Sequence, residues 1–157
     1  MQLKPLEQWI CDTCGEVIKC PEDGYVQFKK GDKGGHDDFI IVHHLAVSPR
    51  KGNNKNGCYQ YNADSDLKSY LEVDGLARLL ALVDPGEHKC DELKHPNTGN
   101  FRNWVDFVRR LQLPYYEEVR LYWSEAEQDG FFDGAGETWP YLPRNLNYLI
   151  EKYGKSI

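Results

Sequence analysis

No run of apolar residues in this chain of 157 approaches the roughly 20 needed to cross a bilayer. The opening Met1 to Trp9 also lacks the basic end and long apolar stretch of an export signal, so neither a membrane span nor export is expected and a cytoplasmic location is. Cationic excess is missing too. The net charge is −6; residues 1–63 carry 8 Lys/Arg against 8 Asp/Glu, and residues 64–157 carry 11 against 17. An acidic second half repels phosphate backbones, and the three cations Arg50, Lys51 and Lys55 read as a solvated Gly/Asn-rich loop, so nucleic acid is not expected as a partner. Five cysteines, an odd number, argue against a closed disulfide framework and for reduced thiols. No internal repeat is visible, and 40% apolar with 28% charged residues excludes collagen-like, coiled-coil and wholly disordered chains.

What is present changes character near residue 63. Residues 9–63 read as short strands around tight turns: Trp9-Ile10, Val17-Ile18, then Tyr25 to Phe28 and Phe39 to His44 as a hairpin with a long glycine-rich tip. Cys58 to Tyr61 is a further candidate strand. Helical periodicity follows. Leu76, Leu79, Leu80 and Val83 share one face of a first helix, with Asp74 as its N-cap and Pro85-Gly86 as its stop. Asn100 caps a second helix presenting Phe101, Trp104, Val105, Val108 and Leu111, and Pro114 opens a third that runs to about Gln128, with Glu117 and Glu118 near its positive end. A last helix spans about Pro143 to Tyr153. The polar segment 86–99 holds His88, Cys90 and His95, but their spacing matches no standard metal pattern, so a linker is expected.

The chemistry concentrates in the first half. Cys11-Asp-Thr-Cys14-Gly15 places two thiols two residues apart on a tight turn, where both can grip one tetrahedral ion while glycine lets the backbone fold beneath them. The motif resembles the zinc knuckle of zinc-ribbon and treble-clef domains, a likeness confined to residues 9 to about 60; a second Cys-x-x-Cys is missing. The remaining ligands are expected from His43 or His44 and from Cys58, with Cys20 as the rival thiol. Neighbours on a strand face opposite ways, so His43 travels with Phe39 and Ile41, His44 with Ile40 and Val42, and the sequence leaves the choice open. A small β-rich segment buries too little area to offset its ordering entropy comfortably, so a structural zinc is expected to determine its fold.

The expected architecture is α+β: a zinc-stabilised β-hairpin subdomain at 1–63 and a helical part of about four helices at 64–157, packed as one unit. A closed Cys₃His set leaves no open position for water, so a protein-binding or regulatory module without catalytic activity is expected. The partner is expected to be a protein. Phe131, Phe132, Trp139 and Tyr141, adjacent aromatics among glycines, are the expected contact surface, while calcium at Asp129, Asp133 and Glu137 finds no EF-hand spacing. A thioredoxin-type dithiol would require a helix starting at the motif, and Gly15 to Pro21 does not read as one. The alternative function is a metal-dependent nuclease: a histidine pair ending a hairpin strand before an Asn-rich loop loosely resembles the ββα-metal (HNH) arrangement, with His43 or His44 as base and Asn53, Asn54 or Asn56 as orienting residue.

Overall fold

A computed structural model describes residues 2–31, 35–86 and 98–154; His88, Cys90 and His95 lie outside the described residues. Strands β1 (Trp9–Ile10) and β2 (Val17–Ile18) pair antiparallel around the Cys-x-x-Cys turn. Strands β3 (Gly24–Lys30), β4 (His36–His43) and β5 (Ala63–Asp66) form an antiparallel sheet in the order β4-β3-β5. The β3-β4 hairpin expected from the alternation is present, with a register shift between Gln27 and Lys29. The third strand starts at Ala63, beyond the expected Cys58 to Tyr61, because the buried side-chain amide of Gln27 claims that earlier backbone. Its Oε1 accepts the N–H groups of Gln60 and Tyr61, and its Nε2 donates to the Tyr61 carbonyl.

Five helices follow among the described residues: α1 (Glu72–Val83), α2 (Phe101–Gln112), α3 (Tyr116–Val119), α4 (Trp123–Gln128) and α5 (Pro143–Tyr153). The mixed α+β class is therefore as expected, with five helices in place of about four. The Asn100 cap is also present, its side chain accepting the N–H of Asn103. Three sequence readings are corrected. Helix α1 begins at Glu72, so Asp74 lies within its first turn, and α1 buries Gly75 and Leu79 while Leu76 and Leu80 stay exposed. Helix α2 turns Phe107 and Leu111 inward and leaves Phe101 exposed. The single helix expected from Pro114 to Gln128 is two, interrupted at 120–122, and Tyr115 enters it in the left-handed region at φ 73°.

The apolar residues gather in two clusters whose division does not fall at residue 63. The first joins Trp9, Ile18, Val26, Phe39 and Ile41 to Leu79, Phe107 and Leu111, so α2 packs on the sheet and α1 on α2; Phe39 stacks flat on Phe107 with centroids 4.6 Å apart. The second, around Tyr116, Val119, Leu146 and Leu149, belongs to α3, α4 and α5. Packing each helical face against another element hides the apolar area that drives folding.

A buried ion network bridges the two. Arg110 of α2 donates from Nε and Nη2 to the two carboxylate oxygens of Glu117 at 2.7 and 2.8 Å, from Nη1 to Asp12 at 2.6 Å, and from Nη2 to the Ile10 carbonyl at 3.2 Å. Glu117 in turn accepts the Ile10 N–H, and Trp9 donates its indole N–H to the Arg110 carbonyl. Burial works to raise the Glu117 carboxyl, but the Arg110 guanidinium outweighs it and holds the group below the ordinary carboxylate range. The break of the third helix follows from this arrangement, since Glu117 and Glu118 both turn inward instead of facing water beside a helix end. Glu118 accepts the Leu3 N–H at 2.7 Å, and its burial pushes its carboxyl above the ordinary value.

Removing one member of such a network leaves uncompensated buried charge. Arg110→Ala is expected to cost about 3–5 kcal/mol in urea unfolding, while Arg110→Met combined with Glu117→Leu recovers part of the loss. A cost for Arg110→Ala within the range of surface substitutions would contradict the network's role.

Candidate metal centre

The Cys-x-x-Cys turn is held against the free edge of the sheet by a residue between its two thiols. Asp12 donates its N–H to the Ile41 carbonyl at 2.8 Å and accepts the Ile41 N–H on Oδ2 at 2.6 Å, so the turn docks on β4 as an added rung. His43 lies two residues further along that strand, on the same face as Ile41, and is thereby brought to the thiols. Gly15 closes the turn in the left-handed region at φ 77°, its N–H donating to the Cys11 carbonyl at 2.9 Å.

Cys58 arrives from the other side. Its carbonyl accepts the Thr13 hydroxyl at 2.7 Å, and the next residues are gripped by Gln27, so the segment is stitched to both the turn and the sheet. Gly57 sits at φ 55°, and a Cβ there would fall 2.8 Å from the Ser48 hydroxyl and 2.9 Å from Leu45, leaving room only for glycine. The spared space lets Ser48 Oγ reach Cys58 Sγ at 3.1 Å.

Four donor atoms result, from Cys11, Cys14, His43 and Cys58, all within 4.8 Å of one another. Cys14 Sγ lies 3.4 Å from His43 Nδ1 and Cys58 Sγ 3.9 Å from the same nitrogen. A tetrahedron with metal–sulfur bonds of about 2.3 Å and a metal–nitrogen bond of about 2.0 Å has sulfur–nitrogen edges of about 3.5 Å, so the group has the size to hold a metal ion. Cys11 and Cys58 are buried, His43 is 6% exposed and Cys14 half-buried. The other imidazole nitrogen, Nε2, lies 3.3 Å from the Val17 carbonyl. A carbonyl only accepts, so this contact puts the ring proton on Nε2 and leaves the Nδ1 lone pair for the ion, the outer-shell arrangement typical of metal-bound histidine.

The sequence left His43 and His44 open, and the structure chooses His43. His44 stands outside the group: its Nδ1 accepts the Ala46 N–H at 3.0 Å, capping the 3₁₀ turn Leu45–Val47, and its ring meets Tyr25 edge-on. Cys20 is outside as well, at the N-cap of the 3₁₀ turn Pro21–Asp23. The supporting residues Asp12, Gln27, Ser48 and Arg110 escape sequence reasoning because no spacing marks them; the Asp12–Arg110 contact spans 98 positions.

The aromatic residues Phe131, Phe132, Trp139 and Tyr141 are half-buried, and Phe131, Phe132 and Tyr141 pack against the second apolar cluster. Phe132 and Tyr141 both stack on Trp123, and Phe131 packs against Trp139, Tyr148 and Tyr153, so much of their ring surface is turned toward their own neighbours. Comparison of the chain with protein-family models, with curated proteins and with solved structures found no match.

Burial pushes Cys14 up to about 12; the Glu16 backbone N–H opposes this, and the adjacent Cys11 and Cys58 thiols reinforce it. The Cys14 proton is therefore retained at neutral pH and must leave when a dication binds. Metal uptake at pH 7 is expected to release about three protons per ion, read with an indicator in weak buffer, and affinity is expected to fall as pH drops. A release near zero would contradict thiol ligation. His43→Ala and Cys58→Ser are expected to lose bound metal by elemental analysis, while His44→Ala and Cys20→Ser keep one ion per chain.

Proposed function

We propose that this protein is a zinc-stabilised binding or regulatory module in which the ion holds the fold and performs no chemistry. The observation that carries the reading is the closed donor set: three thiols and one imidazole, mostly buried, account for all four positions of a tetrahedral ion. Thiolates and imidazole suit zinc, and structural zinc sites use complete protein ligation whereas catalytic ones keep a position for water. The cluster also joins the turn after β1, β4 and the Cys58 segment, so ion binding would add folding energy on the order of 10 kcal/mol.

In this reading the partner is a protein, and residues 129–141 present its contact surface. Phe131 and Trp139 border a shallow hollow of about 270 Å³ with Gly134, Ala135 and Gly136. The cysteines among the described residues are free, which suits a reducing, cytoplasmic compartment. The nuclease reading gains no comparable support, because His43 sits among thiols and His44 is occupied in a capping bond.

Chelation provides the test. Stripping zinc with a strong chelator is expected to abolish amide hydrogen-exchange protection in β1 to β4, with recovery on zinc addition, and cobalt substitution should give the absorption of a tetrahedral S₃N site. Unchanged protection in verified metal-free protein would overturn the structural role. Zinc-loaded protein is expected to leave plasmid DNA intact, and Trp139→Ala to weaken partner capture; cleavage lost in His43→Ala or His44→Ala would revive the nuclease.

A further inference from the structure

The acidic helical half contains a cleft whose charge runs against that of its surroundings. It has a volume of about 700 Å³ and lies between α2 and the α3–α4 segment, with Tyr141 closing one side. Three arginines line it, Arg102, Arg109 and Arg120, against the single carboxylate of Asp106. The cleft is therefore net +2 in a chain of net −6.

The arginines are not accounted for by internal pairing. Among the described residues, no carboxylate lies within 4 Å of the Arg102 or Arg109 guanidinium. Asp106 is already engaged, accepting the Tyr116 hydroxyl at 2.6 Å. Arg120 leans at 3.3 Å on Glu117 and 3.8 Å on Asp12, both of which are bound more closely by Arg110.

Arg109 is also held in place. Its guanidinium carbon sits 3.6 Å from the centroid of the Tyr141 ring, Tyr141 stacks on Trp123 at 5.6 Å, and Trp123 stacks on Phe132 at 4.6 Å. The cation rests over the first of three rings linked by stacked contacts. Contact with a ring restrains the guanidinium, which suits forked recognition of a tetrahedral oxyanion. Arg102 and Arg109 stand two turns apart on α2, and Arg120 faces them from the next segment. Gathering three cations around an unfilled space costs repulsion that a bound anion would offset.

We propose that this cleft binds the phosphate group of a small phosphorylated ligand, gripped by Arg102, Arg109 and Arg120. Its size is that of a small-molecule site. Phe101, exposed at the mouth and stacked on Trp104, offers a ring face to a base, so the phosphate can come from a nucleotide as well as from a simple phosphate. This proposal does not depend on the reading of the metal, and its failure would leave that reading standing.

The experiment is titration calorimetry on the zinc-loaded full chain with inorganic phosphate, pyrophosphate and ADP as separate probes. Saturable 1:1 binding that weakens with salt is expected, with a loss of about tenfold or more in Arg102→Glu and Arg109→Ala and none in Lys51→Ala, an exposed cation outside the cleft lining. Arg102 makes no ion pair among the described residues, so Arg102→Glu should fold; circular dichroism and an unchanged zinc content check this. ADP binding more tightly than pyrophosphate, with the difference erased by Phe101→Ala, assigns a nucleotide; equal binding assigns a simple phosphate. Absence of saturable binding of all three probes at low millimolar concentration, or affinities untouched by both arginine variants, would overturn the proposal.

Discussion

The carboxylate of Asp12 is where three parts of the molecule meet. One oxygen accepts both the Ile41 N–H of the sheet edge and the Arg110 guanidinium of α2, and the backbone that carries it joins the first two thiols. Asp12 itself keeps contact with water, but the Arg110 guanidinium it holds is buried, and that charge is tolerable only because it is shared between Asp12 and Glu117. The metal loop, the sheet and the helices are thereby fixed relative to one another by directional bonds, where apolar packing alone would allow sliding. His43 and Cys58 reach the first two thiols because that docking is settled elsewhere.

The donor group adds a second constraint of the opposite electrical sense. Burial favours the protonated thiol at Cys14, and a dication would invert that preference, so a buried thiol can pack as a small apolar group or act as an anionic ligand. Ser48 Oγ lies against Cys58 Sγ and the Val17 carbonyl against His43 Nε2, contacts of the kind that surround metal ligands.

Charge is distributed with similar economy in the helical half. Its carboxylate excess suggests a uniformly acidic surface, yet Glu117 and Glu118 are withdrawn into the interior while Arg102 and Arg109 are left around a hollow. Aromatic rings that look surplus in the sequence become plates supporting one of those arginines. Net charge and aromatic count therefore understate what the surface offers to a ligand.

Local patterns in the chain were enough to disclose the β3-β4 hairpin, the Asn100 cap, the last helix and the thiol turn, because each depends on neighbours within a few residues: alternation, a capping side chain, a period of three to four, a glycine after two cysteines. The α+β class followed from the change of period near residue 63. Contacts across the chain were needed for the rest. His43 over His44 was decided by the edge on which Asp12 docks, the late start of β5 by Gln27, the broken helix by Arg110 drawing Glu117 inward, and the inward face of α2 by the ring of Phe39. Each of these pairs residues far apart in sequence, whose meeting is dictated by packing and by the need to satisfy buried polar groups, and neither condition is written in any local stretch.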